Sequence, residues 1–412
     1  MTALLEPTAY DLAAIRAQFP ALHQLVHGKP LVWLDTAATS QKPQIVIDTE
    51  SNYYAHDNAN VHRGVHALAE RATRAFEDAR TTTARFLNAK EAREIVFVRG
   101  TTEAINLVAN TFGAGLKAGD EILISNLEHH SNIVPWQLLA ARTGVVLRVI
   151  PITDAGEIDL DAFRALLTDR TRLVTVVHVS NALGTVNPIA EIVRLAHAAG
   201  AKVLVDGAQA MGHVPVDVQA LDVDFYAFSG HKVYAPTGIG GLYGKADLLE
   251  ALPPWMGGGD MIDKVSFAGT TFAGIPARFE AGTPNVGGAI ALAAALRWVE
   301  AHVRPAAFAH EDDVLRYGTA ALTAIPGLRM IGTAAHKVAV LGFVIEGVHP
   351  HDLASVLDRQ GVAIRTGHHC TQPLMERLGV TATARASLGC YSGRDDVDRL
   401  VVGLEKAISL LR

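Results

Sequence analysis

The chain has 412 residues, enough to bury a large core and to divide into two or three domains. With 49% hydrophobic and 19% charged residues it reads as a compact soluble protein rather than a disordered tail, and mean hydropathy is +0.21. A formal net charge of -6 gives no broad basic surface, so no nucleic-acid partner is expected. The first eleven residues carry Glu6 and Asp11 and no signal-like apolar run. The apolar stretch Ala289 to Leu296 is far shorter than the roughly 20 residues that cross a bilayer, so no membrane role is expected and the expected compartment is the cytoplasm. Two cysteines, Cys370 and Cys390, do not make a disulfide framework, and without a C-x-x-C pair no metal site is expected. Each thiol is therefore core filler or a working group.

In chain order, short apolar runs alternate with helix-periodic segments, the βαβ pattern of a mostly parallel, covered sheet. Strands are predicted at Glu94–Arg99, Glu121–Ser125, Val145–Val149, Leu173–Val179, Lys202–Asp206, Phe225–Phe228 and Ile239–Tyr243. Intervening helices are predicted at Glu103–Phe112, Ile133–Thr143, Asp159–Leu167 and Ile189–Gly200. The glycine-rich stretch Trp255–Gly274 reads as a long mobile or partner-contacting loop. A helix follows from Val286 to His302. Then the pattern changes to helix Glu311–Ala324, strand Val338–Ile345, helix Asp352–Gln360, strands Val362–Arg365 and Arg385–Gly389, and helix Arg394–Leu411. The fold class is α/β, with three predicted units: residues 1–25 packing on the small domain, a large domain 26–302, and a small α+β domain 303–412.

Five constellations can carry chemistry. Arg99-Gly100-Thr101-Thr102-Glu103 joins a strand to a helix, where freed amides, the helix dipole and two hydroxyls suit a phosphate; alone it reads as an ordinary capped turn. Asp206 ends a strand and is followed by Gly207-Ala208-Gln209. Ligands of open α/β sheets sit there, and a buried carboxylate needs a cation or hydrogen-bond donor, though capping the next turn would also serve. Ser229-Gly230-His231-Lys232 ends another apolar strand; Ser229 and His231 are phosphate-type donors, and Lys232 sits where a lysine loses proton affinity and suits Schiff-base chemistry. Glu128-His129-His130-Ser131-Asn132 offers an imidazole that could stack on an aromatic ring and carry protons, and neighbouring histidines on a helix point apart, so one at most is expected at a given site. In Arg365-Thr366-Gly367-His368-His369-Cys370, the cysteine lies in a polar loop beside two histidines and near Arg365, a setting that favours thiolate. Cys390 follows a strand end and reads as packing.

Together these segments resemble a class V, fold-type I pyridoxal-phosphate (PLP) enzyme, specifically a SufS-type (group II) cysteine desulfurase. The likeness runs through Leu34-Asp35-Thr36-Ala37-Ala38, Val61 to His66, Arg99 to Asn106, Glu128 to Trp136, His178 to Asn181, Asp206 to Gln209, Ser229 to Lys232, Phe279 to Asn285 and Arg365 to Cys370, in the family's order. The resemblance implies a large mostly parallel-sheet domain, a smaller C-terminal domain and a PLP cofactor. Lys232 matches the lysine that carries PLP covalently, Asp206 the partner of its ring nitrogen, Gln209 that of its phenolic oxygen, and His129 the ring-stacking histidine. Thr101 lies beside Thr102, which with Ser229 and His231 matches the phosphate donors, and Thr283 matches a donor contributed across a homodimer. Asn181 and Arg385 match the substrate-carboxylate clamp, with Arg365 beside it, and Cys370 matches the persulfide-forming nucleophile on a short, ordered loop.

The implied reaction takes L-cysteine to L-alanine and supplies sulfur for iron–sulfur cluster assembly in a SUF system. Val348 to Asp352 resembles relatives that pass sulfur to a zinc-bearing SufU-type acceptor, where His351 would take a place on the acceptor's zinc. Where relatives commonly continue Tyr-Asn-Thr, this chain has Tyr391-Ser392-Gly393, which bears on loop packing more than on chemistry. The alternatives are a selenocysteine lyase, an aminotransferase or kynureninase-like hydrolase of the same class, and a non-catalytic sulfur-carrier scaffold.

Overall fold

The computed structural model describes residues 10–304 and 306–412. Seven strands form the main sheet: β1 (Ile95–Val98), β2 (Glu121–Ser125), β3 (Val146–Ile150), β4 (Thr171–Val177), β5 (Lys202–Asp206), β6 (Phe225–Ser229) and β7 (Gly240–Gly244). Their spatial order is β1-β7-β6-β5-β4-β2-β3. The pairs from β3 across to β6 are parallel, and β7 runs antiparallel to both its neighbours. Each strand falls within two residues of its predicted span. The pattern was readable because helices cover both faces, so β1, β2, β6 and β7 are buried along their whole length and appear as unbroken apolar or small-residue runs.

Among the described residues, five helices escaped the periodicity reading: three short ones at Leu12–Arg16, Ala246–Ala251 and Gln372–Arg377, and two longer ones. Gln44–Asn52 and the 21-residue Ala67–Leu87 precede the sheet. The longer one buries Ala69, Ala72, Phe76, Ala79, Thr83 and Phe86, a face of mostly small residues, and lies against Val286–His302. The glycine-rich stretch is also more ordered than a loop: Ile262–Ser266 and Gly269–Phe272 pair as an antiparallel hairpin whose β-branched residues suit a pleated ribbon.

A second, four-stranded antiparallel sheet is built from β8 (Leu328–Ile331), β9 (Val340–Ile345), β10 (Arg365–Gly367) and β11 (Thr383–Ser387), in the order β8-β9-β11-β10. The single strand predicted over Val362–Arg365 is in fact split. Val362–Ala363 pairs in parallel with Val32–Trp33, and Arg365 itself opens β10, where it sits directly opposite Arg385. Arg365 is a strand residue as expected, but it belongs to the second of the two strands and pairs with Arg385. The split arises because two different partners, one at each end of the chain, compete for adjacent residues.

The expectation that residues 1–25 pack on the C-terminal unit falls partly on residues 1–9, outside the described residues. From Tyr10 onward, Tyr10 stacks on His310, and Arg16 reaches the Tyr391 carbonyl at 2.8 Å and Asp396 at 2.7 Å. Among the described residues no single helix is long and apolar enough to cross a membrane.

Candidate active site

The C-terminal ends of β1, β2, β4, β5 and β6 open on one cavity of about 260 Å³, closed on its far side by the second sheet and the cysteine loop. At one end, β1 turns through Gly100 into the helix Thr101–Thr111. Strand β7 passes so close beneath that a Cβ on Gly240 would lie 2.7 Å from the Gly100 Cα and 2.4 Å from the Phe228 carbonyl oxygen, so glycine is required there. The Thr101 amide donates to the Ser229 hydroxyl at 2.9 Å, and the two hydroxyls are 2.9 Å apart. With Thr102 and His231 they border the cavity at the helix N-terminus, an arrangement of donors for a phosphate dianion. Burial, helped by Lys232 and Lys42, pushes His231 down to about 4.

In the middle, Asp206 ends β5. Its Oδ1 accepts the Ala208 amide at 2.9 Å, and no described cation forms an ion pair with it. Burial drives its carboxyl above the ordinary range, against the pull of the Ala208 amide and Lys232. Lys232 moves the opposite way: burial lowers its ammonium, while Asp206 supports the charge and Arg385 opposes it. Gln209 donates one amide hydrogen to the Ala37 carbonyl at 2.6 Å, which fixes its orientation beside the cavity. His129 caps the short turn His130–Asn132, and its Nδ1 accepts the Ser131 amide at 3.1 Å, so its single proton resides on Nε2. Burial, reinforced by Lys232, brings His129 down to about 4, and it is neutral at pH 7.

At the other end lie Arg385, Arg365, Asn181 and the cysteine loop. Arg385 is 2% exposed; it donates to the Asn181 carbonyl at 2.8 Å and to Asp35 at 3.0 Å, while its Nε and the Asn181 Oδ1 have no partner. The backbone is left-handed at both His369 and Cys370, an unfavourable conformation for side chains of this size. Hydrogen bonds hold it: Asn181 Nδ2 donates to the His369 carbonyl at 2.8 Å, the His130 amide to the Cys370 carbonyl at 2.7 Å, and the Cys370 amide to His368 Nδ1 at 3.2 Å. The two adjacent histidines thus divide the work, His129 facing the cavity and His130 gripping the cysteine loop.

Of the residues singled out in the sequence, Thr101, Thr102, His129, Asn181, Asp206, Gln209, Ser229, His231, Lys232, Arg365, Cys370 and Arg385 line this one cavity. Thr283 does not. It borders a separate cavity of about 330 Å³ with Arg99, Gly238 and Trp255. His351 lies exposed in the first turn of the helix Pro350–Asp358. Cys390 is fully buried and its thiol is held well above the ordinary range by burial. Sequence reading missed Asp35, Lys42, His130 and Glu128. Glu128 is pushed up to about 8 by burial and accepts the Val177 amide at 3.0 Å and Asn132 at 2.6 Å, which anchors the turn carrying His129. Only the motifs around Asp35 and Glu128 gave any signal, and neither motif revealed a contact.

The residues fit a PLP group. A buried carboxylate without a cation suits a protonated ring nitrogen, the hydroxyl-lined helix N-terminus suits the phosphate, and the proton-poor Lys232 amine suits an aldehyde. The family model of the class V aminotransferases matches residues 32–400. The chain is 57% identical over 404 residues to a cysteine desulfurase of Dickeya dadantii, covering 98% of each, and 53% identical to a probable cysteine desulfurase of Vibrio cholerae, covering 97% of this chain and 99% of that one. The crystal structure of the cysteine desulfurase CsdA from Escherichia coli superposes with a TM-score of 0.91 at 43% identity, over 98% of this chain and all of the other. The chain belongs to the class V aminotransferase family, among its PLP-dependent cysteine desulfurases, with the fold-type I architecture.

Proposed function

We propose that this enzyme converts L-cysteine to L-alanine and takes the sulfur as a persulfide on Cys370, in the SufS-type, group II manner. The observation that carries the reading is the convergence of Lys232, Asp206, Arg385 and Cys370 on one cavity. The assignments follow from the chemistry of each group. Thr101, Thr102, Ser229 and His231 would hold the phosphate, Asp206 would keep a proton on the ring nitrogen, Gln209 would serve the phenolic oxygen, and His129 would serve the ring. When bound, PLP supplies an electron sink for negative charge at the substrate Cα. Lys232 removes the Cα proton and later returns one; burial has already lowered the affinity that would otherwise keep its amine protonated. Arg385 and Asn181 orient the substrate carboxylate, with Arg365 at the rim. The Cys370 thiolate then attacks the substrate sulfur: an S–S bond forms as the C–S bond breaks, and that bond's electron pair stays with the carbon skeleton, which is protonated to alanine. No external oxidant is consumed. His129, neutral with its proton on Nε2, is the proton carrier at the ring and sulfur.

The left-handed, hydrogen-bonded cysteine loop supports the short-loop group II assignment. The change of sheet architecture supports a division into 26–302 and 303–412 with the N-terminal residues packed on the latter. The separation of Thr283 from the main cavity supports a homodimer in which it serves the other active site. Exposed His351 supports transfer to a SufU-type acceptor, the sulfur going to iron–sulfur cluster assembly in the cytoplasm, where two unpaired thiols remain reduced.

The test is spectroscopic. Lys232→Ala should abolish the visible change that L-cysteine produces in the holoenzyme and fall in turnover by at least about a thousandfold. Cys370→Ala should keep that response but release no cysteine-derived sulfur to an acceptor. Full acceptor-dependent alanine formation by Cys370→Ala would overturn the nucleophile assignment.

A further inference from the structure

Arg365 and Arg385 face each other directly across β10 and β11, a placement of like charges that is unfavourable unless something lies between them. Asp35 does. It comes from the other end of the chain, where Val32–Trp33 pairs with Val362–Ala363 and Asp35 itself bridges to Ser387. Its Oδ1 accepts Arg385 Nη2 at 3.0 Å and its Oδ2 accepts Arg365 Nε at 3.1 Å. The Asp35 side chain is 12% exposed, Arg385 is 2% and Arg365 is 51%. Neighbouring His369 adds no charge at pH 7, because burial and then Arg385 bring it down to about 3. Two guanidinium groups against one carboxylate leave a single positive charge. The orphaned Arg385 Nε marks where an anion is still owed a contact.

We propose that Asp35 is a specificity-determining residue: by pairing with both arginines it sets this end of the cavity to one uncompensated positive charge, which admits an amino acid with one carboxylate and discriminates against one with two. The inference rests on the reading of Arg385 as the substrate clamp. With Asp35 neutral, Arg365 is free to meet a second carboxylate, and the electrostatic field at the site rises.

The test uses the holoenzyme and the cofactor absorbance change on titration with L-alanine and L-aspartate, read independently of turnover. Asp35→Asn should shift the affinity ratio toward L-aspartate by about tenfold or more, as expected for one added unit charge in a partly buried site. Asp35→Glu should keep the wild-type ratio. Arg365→Gln placed on Asp35→Asn restores the charge and should restore the ratio. An unchanged ratio in Asp35→Asn, or equal weakening of both ligands, would overturn the proposal. If Asp35→Asn does not fold, Arg365→Gln alone decides: it should weaken L-alanine relative to L-alaninamide, which lacks the carboxylate, by a similar factor, and no relative change overturns the charge-setting role. Arg385→Lys tests the underlying reading separately. Undiminished binding of both amino acids there would mean that the clamp itself, and not Asp35's part in it, had been misassigned.

Discussion

Asp206 and Lys232 sit at the ends of neighbouring strands, and burial moves them in opposite directions, the carboxyl up and the ammonium down. Each is shifted toward its neutral form by the same loss of water, and each is suited to interact with a bound group rather than with solvent. Asp206→Asn keeps the shape but cannot hold a proton on the ring nitrogen as a counter-charge. It should leave the fold intact and lower kcat by at least about a hundredfold with little change in KM, measured by alanine formation. An equal kcat would show that the ring nitrogen needs no anionic partner. The residue types here were legible because few positions in an apolar strand pattern end in Asp, Ser or Lys. Asp35 and His130 were not, because nothing local distinguishes an aspartate that bridges two arginines from one that caps a turn.

At the scale of elements, the hydroxyl-lined end of the cavity depends on how closely β7 lies under the start of the helix Thr101–Thr111. A Cβ at Gly240 would meet two backbone atoms that cannot swing aside. Gly240→Ala should therefore separate β6 from β7, cost about 1–3 kcal/mol by chemical denaturation, and weaken PLP retention more than substrate affinity. Unchanged PLP retention would show that the cradle tolerates the shift. The strands of the main sheet were predicted closely, whereas the helix Ala67–Leu87 was not, although Phe76, Phe86 and Leu87 give it a distinct buried face. The ladder of Arg365 against Arg385 was invisible as well. Two-residue and three-residue strands carry too few side chains to show an alternation.

Across the whole molecule, the two sheet systems are joined by a buried pair, His213 from the segment after β5 and Glu311 from the helix Ala306–Thr323, 2.8 Å apart with each side chain 5% exposed. Burial alone would lower His213, but Glu311 outweighs it and the imidazole is raised. Stability from this charged pair is complete below the ordinary histidine value of about 6.5 and is lost as pH rises through the raised one. The wild-type Tm should therefore fall as the pH is raised above about 6.5. Glu311→Leu should flatten that slope and cost about 3 kcal/mol near pH 6, as for removing one partner of a buried pair. A slope unaltered in the variant would assign the pH dependence elsewhere.

Legible from the amino-acid sequence alone were the strands of the main sheet, the α/β class and most of the residues that line the cavity. They could be read because parallel strands buried on both faces must be apolar throughout, and ligand chemistry gathers at their carboxyl ends. Only the tertiary structure decided which distant segments complete the site: Asp35 reaches Arg385 across 350 positions, and His130 holds the Cys370 loop from a different sheet system. Those contacts depend on how the two sheets come together. Neither partner's local pattern contains information about the other.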